Sequence, residues 1–148
     1  MEIKRIILKK LTAWKQAPDR KPLILQGARQ VGKTWLLTHF GAAEFDNVAY
    51  FNFEAQPDLK QFFENTKDVP RIVQNLSLVH GQPILPQKTL IIFDEIQECN
   101  DALNTLKYFC ENFGIPNLLY RVTTLNQDTY FFFINSCFSR RNHFKNCS

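Results

Sequence analysis

The sequence has 148 residues, 45% of them hydrophobic, which is enough for one compact domain with a substantial core and too few for two comfortable ones. Its net charge is +4, of which residues 1–113 carry +1 and residues 114–148 carry +3. Because a nucleic-acid-binding face needs a basic stripe on one folded surface, this distribution argues against nucleic-acid binding by this chain alone.

The first twenty residues predict an amphipathic helix that ends before Pro18. Lysines and arginines interrupt the apolar stretch that a signal peptide or a membrane span would need. The four cysteines have the spacing of neither a zinc site nor a secreted disulfide scaffold, so reduced thiols are expected. We therefore expect a soluble, cytoplasmic protein with no membrane association. The apolar positions of this helix are Ile3, Ile6 or Ile7, Leu11 and Trp14.

Strand-like and helix-like segments alternate along the rest of the chain up to residue 113. Runs of apolar and β-branched residues predict strands. Helical periodicity, with a proline at the start or a glycine at the end of the segment, predicts helices. The alternation predicts an α/β fold with a parallel sheet. The predicted strands are 21–26, 47–54 and 89–93, and the predicted helices are 33–41 (closed by Gly41), 57–65, 70–81 and 100–113.

The last of these helices carries an apolar stripe at helical spacing, with Asn100 as a plausible cap. We expect this stripe to face the core. Its members are Leu103, Leu106, Cys110 and Phe113.

The octapeptide GARQVGKT has the pattern G-x-x-x-x-G-K-[ST], the Walker A or P-loop motif. Its glycines let successive backbone N–H groups turn toward phosphate oxygens, at the positive end of the following helix. Lys33 would reach the β- and γ-phosphates, and the hydroxyl of Thr34 would bind Mg²⁺. The expected ligand is ATP, on a phosphate-binding set of Gly27, Ala28, Arg29, Gln30, Val31, Gly32, Lys33 and Thr34.

A second motif, TLIIFDEIQ, places two acids after a buried strand and has the form of a Walker B motif. Ligands of parallel sheets lie beyond the carboxyl ends of the strands, which is where Asp94 and Glu95 fall. Asp94 would hold Mg²⁺ through its water shell, and Glu95 would orient and deprotonate the attacking water. The extra glutamate favours an ATPase over a small-molecule kinase.

Together GARQVGKT, YFNFE and TLIIFDEIQECNDALNTLKYF resemble a family of bacterial and archaeal proteins that join an AAA-type P-loop ATPase domain to a C-terminal domain of unknown function. The resemblance covers about residues 3–113. It implies a three-layer α/β ATPase domain in which Lys33 and Thr34 hold phosphate and Mg²⁺, Asp94 is the second Mg²⁺ residue and Glu95 the catalytic base. It also implies that the strand after the Asp-Glu strand lies between that strand and the P-loop strand.

The resemblance ends after residue 113. There the family pattern has a strand of the type YHIIAAGSLL, whose serine senses phosphate, and the chain instead reads GIPNLLYRVTTLNQDTYFFF. We therefore divide the chain into a P-loop ATP-binding domain, 1–113, and a divergent tail, 114–148, and expect a truncated or incomplete sheet.

Two hypotheses address this tail. In the first, a single-base frameshift near codon 113 has placed the tail out of frame, since codons that encode Arg121–Leu125 can read Gly-Ser-Leu-Leu one base later. In the second, residues 117–125 substitute as the missing strand because their side chains favour strands. Thr123, Thr124 or Asn126 would then stand in for the serine.

These observations lead to one expected function and two alternatives. We expect Mg²⁺-dependent ATP binding with weak hydrolysis, in which Glu95 and Lys33 carry the chemistry. The first alternative is a module that holds nucleotide without turnover. The second is a truncated, non-functional remnant without a stable fold. The sequence identifies no protein partner.

Overall fold

The computed structural model describes residues 2–28, 33–111, 114–115, 117–124 and 132–135. Five helices and five strands lie in these ranges, with short 3₁₀ turns at Pro57–Lys60 and Ile96–Glu98. The helices are α1 (Glu2–Gln16), α2 (Lys33–Glu44), α3 (Gln61–Glu64), α4 (Val69–His80) and α5 (Asn100–Glu111). The strands are β1 (Leu23–Ala28), β2 (Asn47–Asn52), β3 (Thr89–Asp94), β4 (Leu118–Thr124) and β5 (Phe132–Asn135).

The strands form one sheet in the order β2-β3-β4-β1-β5. The first four strands of this order pair in parallel, and β5 pairs with β1 in antiparallel orientation. The predicted α/β fold with a parallel sheet is thus confirmed. Up to residue 111, the strands and helices occur along the chain in the order that the apolar segments of the sequence predict.

Strand β4 fills the central position between β3 and β1. It pairs with β1 from Leu23↔Leu119 to Ala28↔Thr124, and with β3 from Ile91↔Leu118 to Phe93↔Tyr120. Without β4, the inner edges of β1 and β3 would present unpaired backbone groups, which are costly and prone to aggregate. The prediction that residues 117–125 supply this strand is confirmed for Leu118–Thr124. The frameshift hypothesis concerns the gene and stays a prediction.

The sheet separates two hydrophobic clusters, because successive side chains of a strand point to opposite faces. On β3, Leu90 and Ile92 join the cluster that packs beneath α1 and α2. The alternate residues, Ile91 and Phe93, join the cluster covered by α3, α4 and α5. Helices therefore cover both faces, and the three-layer prediction is confirmed. Asp94, two residues after Ile92 on β3, lies on the same face of the sheet as Ile92, which is the face covered by α1 and α2.

Helix α2 does not end at Gly41, as the sequence predicted, but continues to Glu44. Gly41 serves a close approach instead. A Cβ atom there would lie 2.5 Å from Cγ2 of Val48 and 3.0 Å from Cδ2 of Leu90. Helix α4, predicted over 70–81, ends at Gly81, whose φ of 85° is left-handed and whose N–H donates to the Ser77 carbonyl at 2.9 Å.

Helix α5 presents a different stripe to the core from the one predicted. Its buried residues are Ala102, Thr105, Leu106 and Phe109, and Leu103 is only partly buried. Thr105 can be buried because its hydroxyl donates to the carbonyls of its own helix, at 2.8 Å from that of Asp101. The helix starts at Asn100, so the cap position belongs to Cys99. Phe113 and the side chain of Cys110 lie outside the described residues.

Replacing Gly41 with alanine tests the close approach. Alanine normally stabilises a helix relative to glycine by about 1 kcal/mol, but overpacking a core costs about 1–3 kcal/mol. Because Val48 is stiff at χ1, we expect Gly41→Ala to lower the free energy of unfolding by about 1 kcal/mol in urea.

The double variant Gly41→Ala with Val48→Ala is the control. Val48→Ala removes both Val48 methyl groups that the new Cβ would meet, so Gly41→Ala should lower the free energy of unfolding less in the Val48→Ala background. Equal effects of Gly41→Ala in both backgrounds would contradict the packing argument.

Candidate functional site

The two motifs meet at the carboxyl ends of parallel strands, where α/β proteins bind ligands. Strand β1 ends at Ala28, α2 begins at Lys33, and β3 ends at Asp94. Both motifs therefore reach the end of the sheet at which β4 also finishes. Of the predicted phosphate-binding set, Arg29, Gln30, Val31 and Gly32 lie outside the described residues, as do the side chains of Ala28 and Lys33.

Thr34 and Asp94 lie side by side although sixty residues separate them in the sequence. The Thr34 hydroxyl is 3.4 Å from Oδ2 of Asp94. Their oxygens are the hard ligands that Mg²⁺ prefers, directly or through its waters. The structure therefore brings the predicted pair together, and both side chains offer oxygen atoms, the ligand type that Mg²⁺ prefers.

The Asp94 carboxylate is fully buried and accepts hydrogen bonds on both oxygens. Oδ1 accepts from the backbone N–H of Glu95 at 2.9 Å and from Nε of Arg121. Oδ2 accepts from the hydroxyls of Thr34 and Tyr50. A carboxylate offers about four lone-pair sites, so these four donors satisfy it. Burial of the charge is tolerated for that reason.

Tyr50 reaches this carboxylate from β2. Burial raises the pKa of the Tyr50 hydroxyl above its ordinary value of 10.0, and the hydrogen bond to Asp94 raises it further. Tyr50 is therefore neutral at physiological pH and donates its proton to the carboxylate. No sequence pattern indicates this role, because an aromatic residue in a strand most often contributes only to packing.

Glu95 has unusual backbone geometry immediately after β3. Its φ of 53° lies in the left-handed region, where it is alone among the described non-glycine residues. Its carboxylate is buried, and Oε2 accepts from Nε2 of Gln97 at 2.6 Å. Oε1 accepts from Nη2 of Arg121 at 2.9 Å. Strained conformations of this kind concentrate at functional sites, where surrounding contacts enforce them.

Arg121 bridges the two acids of the Asp-Glu motif with one guanidinium. The residue is only 8% exposed, and its Nε and Nη2 contact Asp94 and Glu95 respectively. Sequence reasoning treated Arg121 only as part of the divergent tail and missed this position. One signal was available: Arg121 is a single cation within a segment predicted as a central strand. A buried arginine needs an acidic partner, so its position there indicates an ion pair.

The residues proposed to replace the phosphate-sensing serine are less fully described. Thr123 and Thr124 lie in β4 opposite Gly27 and Ala28 respectively, so their backbone runs beside the start of the predicted phosphate loop. Their side chains, and all of Asn126, lie outside the described residues. The sensor assignment stays a prediction.

In the described ranges, no group of three or more His, Cys, Asp or Glu side chains could hold a metal ion. The predicted Thr34 and Asp94 pair would be a different kind of site, because a cation there would take most of its ligands from phosphates and water. Across the same part of the chain, every helix is too short or too polar to cross a membrane.

Comparison with known proteins identifies one family. The family model described as an AAA domain matches residues 19–129, about three quarters of the chain. The match contains β1, both motifs and β4, and it extends sixteen residues past Phe113. Comparison with curated proteins finds no match, and comparison with solved structures finds none either.

The titration of Tyr50 tests its contact with Asp94. Because the pKa of Tyr50 is raised in the folded protein, its stabilising contribution is present below pH 10 and is lost as pH rises through the folded-state pKa. The ultraviolet absorbance of the parent and of Tyr50→Phe is measured against pH, and the difference between them reports Tyr50. We expect this difference to show a tyrosine that ionises only above pH 10.

Tyr108→Phe is the control, because it removes a hydroxyl from α5 outside the Asp94 cluster. Ionisation of Tyr50 at or below pH 10 in the folded protein would contradict the proposed environment.

Removing the Arg121 guanidinium tests its structural importance. Arg121→Met would leave two buried carboxylates without their counterion, a change that typically costs about 3–5 kcal/mol. We expect a loss of that size in the free energy of unfolding measured with urea. Arg71→Met, on the exposed surface of α4, removes the same charge and should change it by less than about 0.5 kcal/mol. A small effect at both positions would contradict the importance of the ion pairs.

Proposed function

Because this chain belongs to the AAA domain family, we propose that it is an ATP-binding P-loop protein that takes ATP together with Mg²⁺. The observation that carries the proposal is the contact between Thr34 and Asp94, 3.4 Å apart at the carboxyl ends of the parallel strands. A hydroxyl after the P-loop lysine and a carboxylate after a buried strand are the two groups that P-loop proteins direct toward Mg²⁺.

Each part of the P-loop motif has a role in this proposal. Backbone N–H groups of residues 27–32 would surround the phosphates at the N-terminus of α2, where the helix dipole favours anions. Lys33 would reach the β- and γ-phosphates, while Thr34 and Asp94 would hold Mg²⁺ directly and through water. Bound Mg²⁺ would neutralise charge on the phosphate oxygens.

Hydrolysis in this proposal depends on Glu95 as the general base. A base must be within hydrogen-bond reach of the attacking water and free to accept its proton. Both Glu95 oxygens accept hydrogen bonds, from Arg121 and Gln97. Glu95 would have to exchange at least one of these partners before acting, and we therefore propose that hydrolysis is weak.

Nucleotide binding without turnover is the second candidate function. The contact between Arg121 and Glu95 favours this candidate, because the positive guanidinium holds the carboxylate that would have to act as the base. The sequence also lacks the family's serine at the expected place. A remnant without a stable fold is less consistent with the continuous sheet and the two buried clusters of the described residues.

The cellular setting is part of the proposal. Cysteine spacing favours a reducing compartment, and we propose the cytoplasm. The nearly neutral residues 1–113 do not favour nucleic acid as a partner. Nucleotide is the partner that the site supports.

A thermal melt with and without Mg²⁺-ATP tests binding. A ligand at one hundred times its dissociation constant that binds only the folded state adds about 2.7 kcal/mol of stability. We expect nucleotide to raise the melting temperature of the parent and of Lys67→Ala, which changes an exposed lysine before α4. Lys33→Ala should remove the shift, because it deletes the phosphate-binding ammonium.

Phosphate release separates the two candidate functions. Slow release by the parent, abolished in Glu95→Gln, would support the weak ATPase. A nucleotide-dependent melt without release would support binding alone. A cooperative melt that nucleotide leaves unchanged would contradict both.

A further inference from the structure

We infer that Arg121 is an internal counterion of this site, which competes with the divalent cation for the carboxylates of Asp94 and Glu95. This inference rests on the proposed function, since it concerns the same acids. It assigns Arg121 a positioning and regulatory role. In the nucleotide-free chain, Arg121 would hold both acids, and a cation would bind in competition with it.

The geometry of the three side chains is the first argument. Nε of Arg121 donates to Oδ1 of Asp94, while Nη2 donates to Oε1 of Glu95 at 2.9 Å. One guanidinium therefore engages both acids of the motif. Arginine suits this arrangement because its planar fork directs several N–H groups in fixed directions.

The local charge balance is the second argument. Asp94, Glu95 and Arg121 together carry one net negative charge, and the Tyr50 hydroxyl beside them is a neutral hydrogen-bond donor. Without Arg121, the remaining acids would carry two negative charges. Since all three side chains are buried, solvent screens their interaction with an incoming cation only weakly.

The occupied lone pairs of Asp94 are the third argument. Its two oxygens accept four hydrogen bonds, so water molecules of a cation shell could be accepted only if a present donor withdrew. The Glu95 N–H is fixed by the backbone, and the Thr34 hydroxyl is itself a proposed cation ligand. Arg121 carries a charge that repels the cation, and it is the donor whose departure the cation favours most.

The position of Arg121 permits such a departure. Its Cα is held in β4 opposite Leu25 of β1, in the centre of the sheet. The guanidinium, in contrast, lies at the end of a side chain with several rotatable bonds. It can therefore leave the carboxylates while the strand stays in place.

The first test measures divalent cation binding without nucleotide. Mn²⁺ replaces Mg²⁺ as the probe, and the electron paramagnetic resonance signal of the free ion reports binding. We expect Arg121→Gln, which retains amide donors, to bind Mn²⁺ at least about tenfold more tightly than the parent, since one buried like charge is removed. Arg71→Gln matches the change in net charge on an exposed surface and should bind like the parent.

A conservative variant separates charge from shape. Arg121→Lys keeps the positive charge, so its Mn²⁺ affinity should stay within about threefold of the parent. Equal tightening in Arg121→Lys and Arg121→Gln would overturn the inference, because shape and not charge would then matter. Unchanged affinity in a cooperatively folded Arg121→Gln would overturn it as well.

Nuclear magnetic resonance of the parent keeps the test valid if Arg121→Gln does not fold. The Nε–H signal of Arg121, assigned by its loss in Arg121→Lys, should be protected from solvent exchange in the metal-free protein. Saturating Mg²⁺ should shift this signal and accelerate its exchange. A signal that stays protected while Mg²⁺ binds would overturn the inference.

Binding of Mg²⁺-ATP, measured by the thermal melt and compared between the parent and Lys33→Ala, distinguishes the inference from the proposed function. If the parent does not bind ATP but Arg121→Gln binds Mn²⁺ more tightly than the parent, the proposed function is wrong and the counterion inference is supported. ATP binding by the parent with equal Mn²⁺ affinities in both proteins would support the proposed function and overturn the counterion.

Discussion

Burial of the Asp94 carboxylate is the constraint on which the arrangement of this site depends. A charged group taken out of water must find hydrogen bonds and opposite charge inside the protein. Asp94 finds them on α2, β2 and β4, through Thr34, Tyr50 and Arg121. Three separate elements are thus tied to one side chain. A shift of any of them would leave a buried oxygen unsatisfied, which makes the site sensitive to the packing of the whole sheet.

This dependence places structure and chemistry in competition for the same atoms. The oxygens that satisfy the resting protein are those a metal shell and an attacking water would need. In a protein of this kind, contacts that raise the stability of the ligand-free state lower the affinity for a cation, and the reverse also holds. The left-handed backbone at Glu95 belongs to the same balance, because the contacts of its carboxylate help to hold that conformation.

Much of this architecture can be predicted from the sequence, and the failures have a common physical origin. Apolar periodicity predicts α1 and the strands, and the fixed residues of the two motifs predict the meeting of Thr34 with Asp94. Local pattern misplaced the end of α2, because Gly41 is required by contact with Val48 rather than by a turn. It also missed Arg121, whose partners are acids more than twenty residues away. In each case the deciding neighbour belongs to another helix or strand, and the periodicity of a single segment carries no information about such a contact.

The central place of β4 also constrains how the protein can fold as it is synthesised. Strand β1 is complete by Ala28, yet its parallel neighbour in the sheet ends only at Thr124. On the ribosome, β1 and its helices must wait for nearly a hundred further residues before the sheet can close. During that interval β1 has no β4 to pair with, and its free edge exposes the nascent chain to pairing with other chains, which is the general hazard of sheets closed by residues distant in sequence.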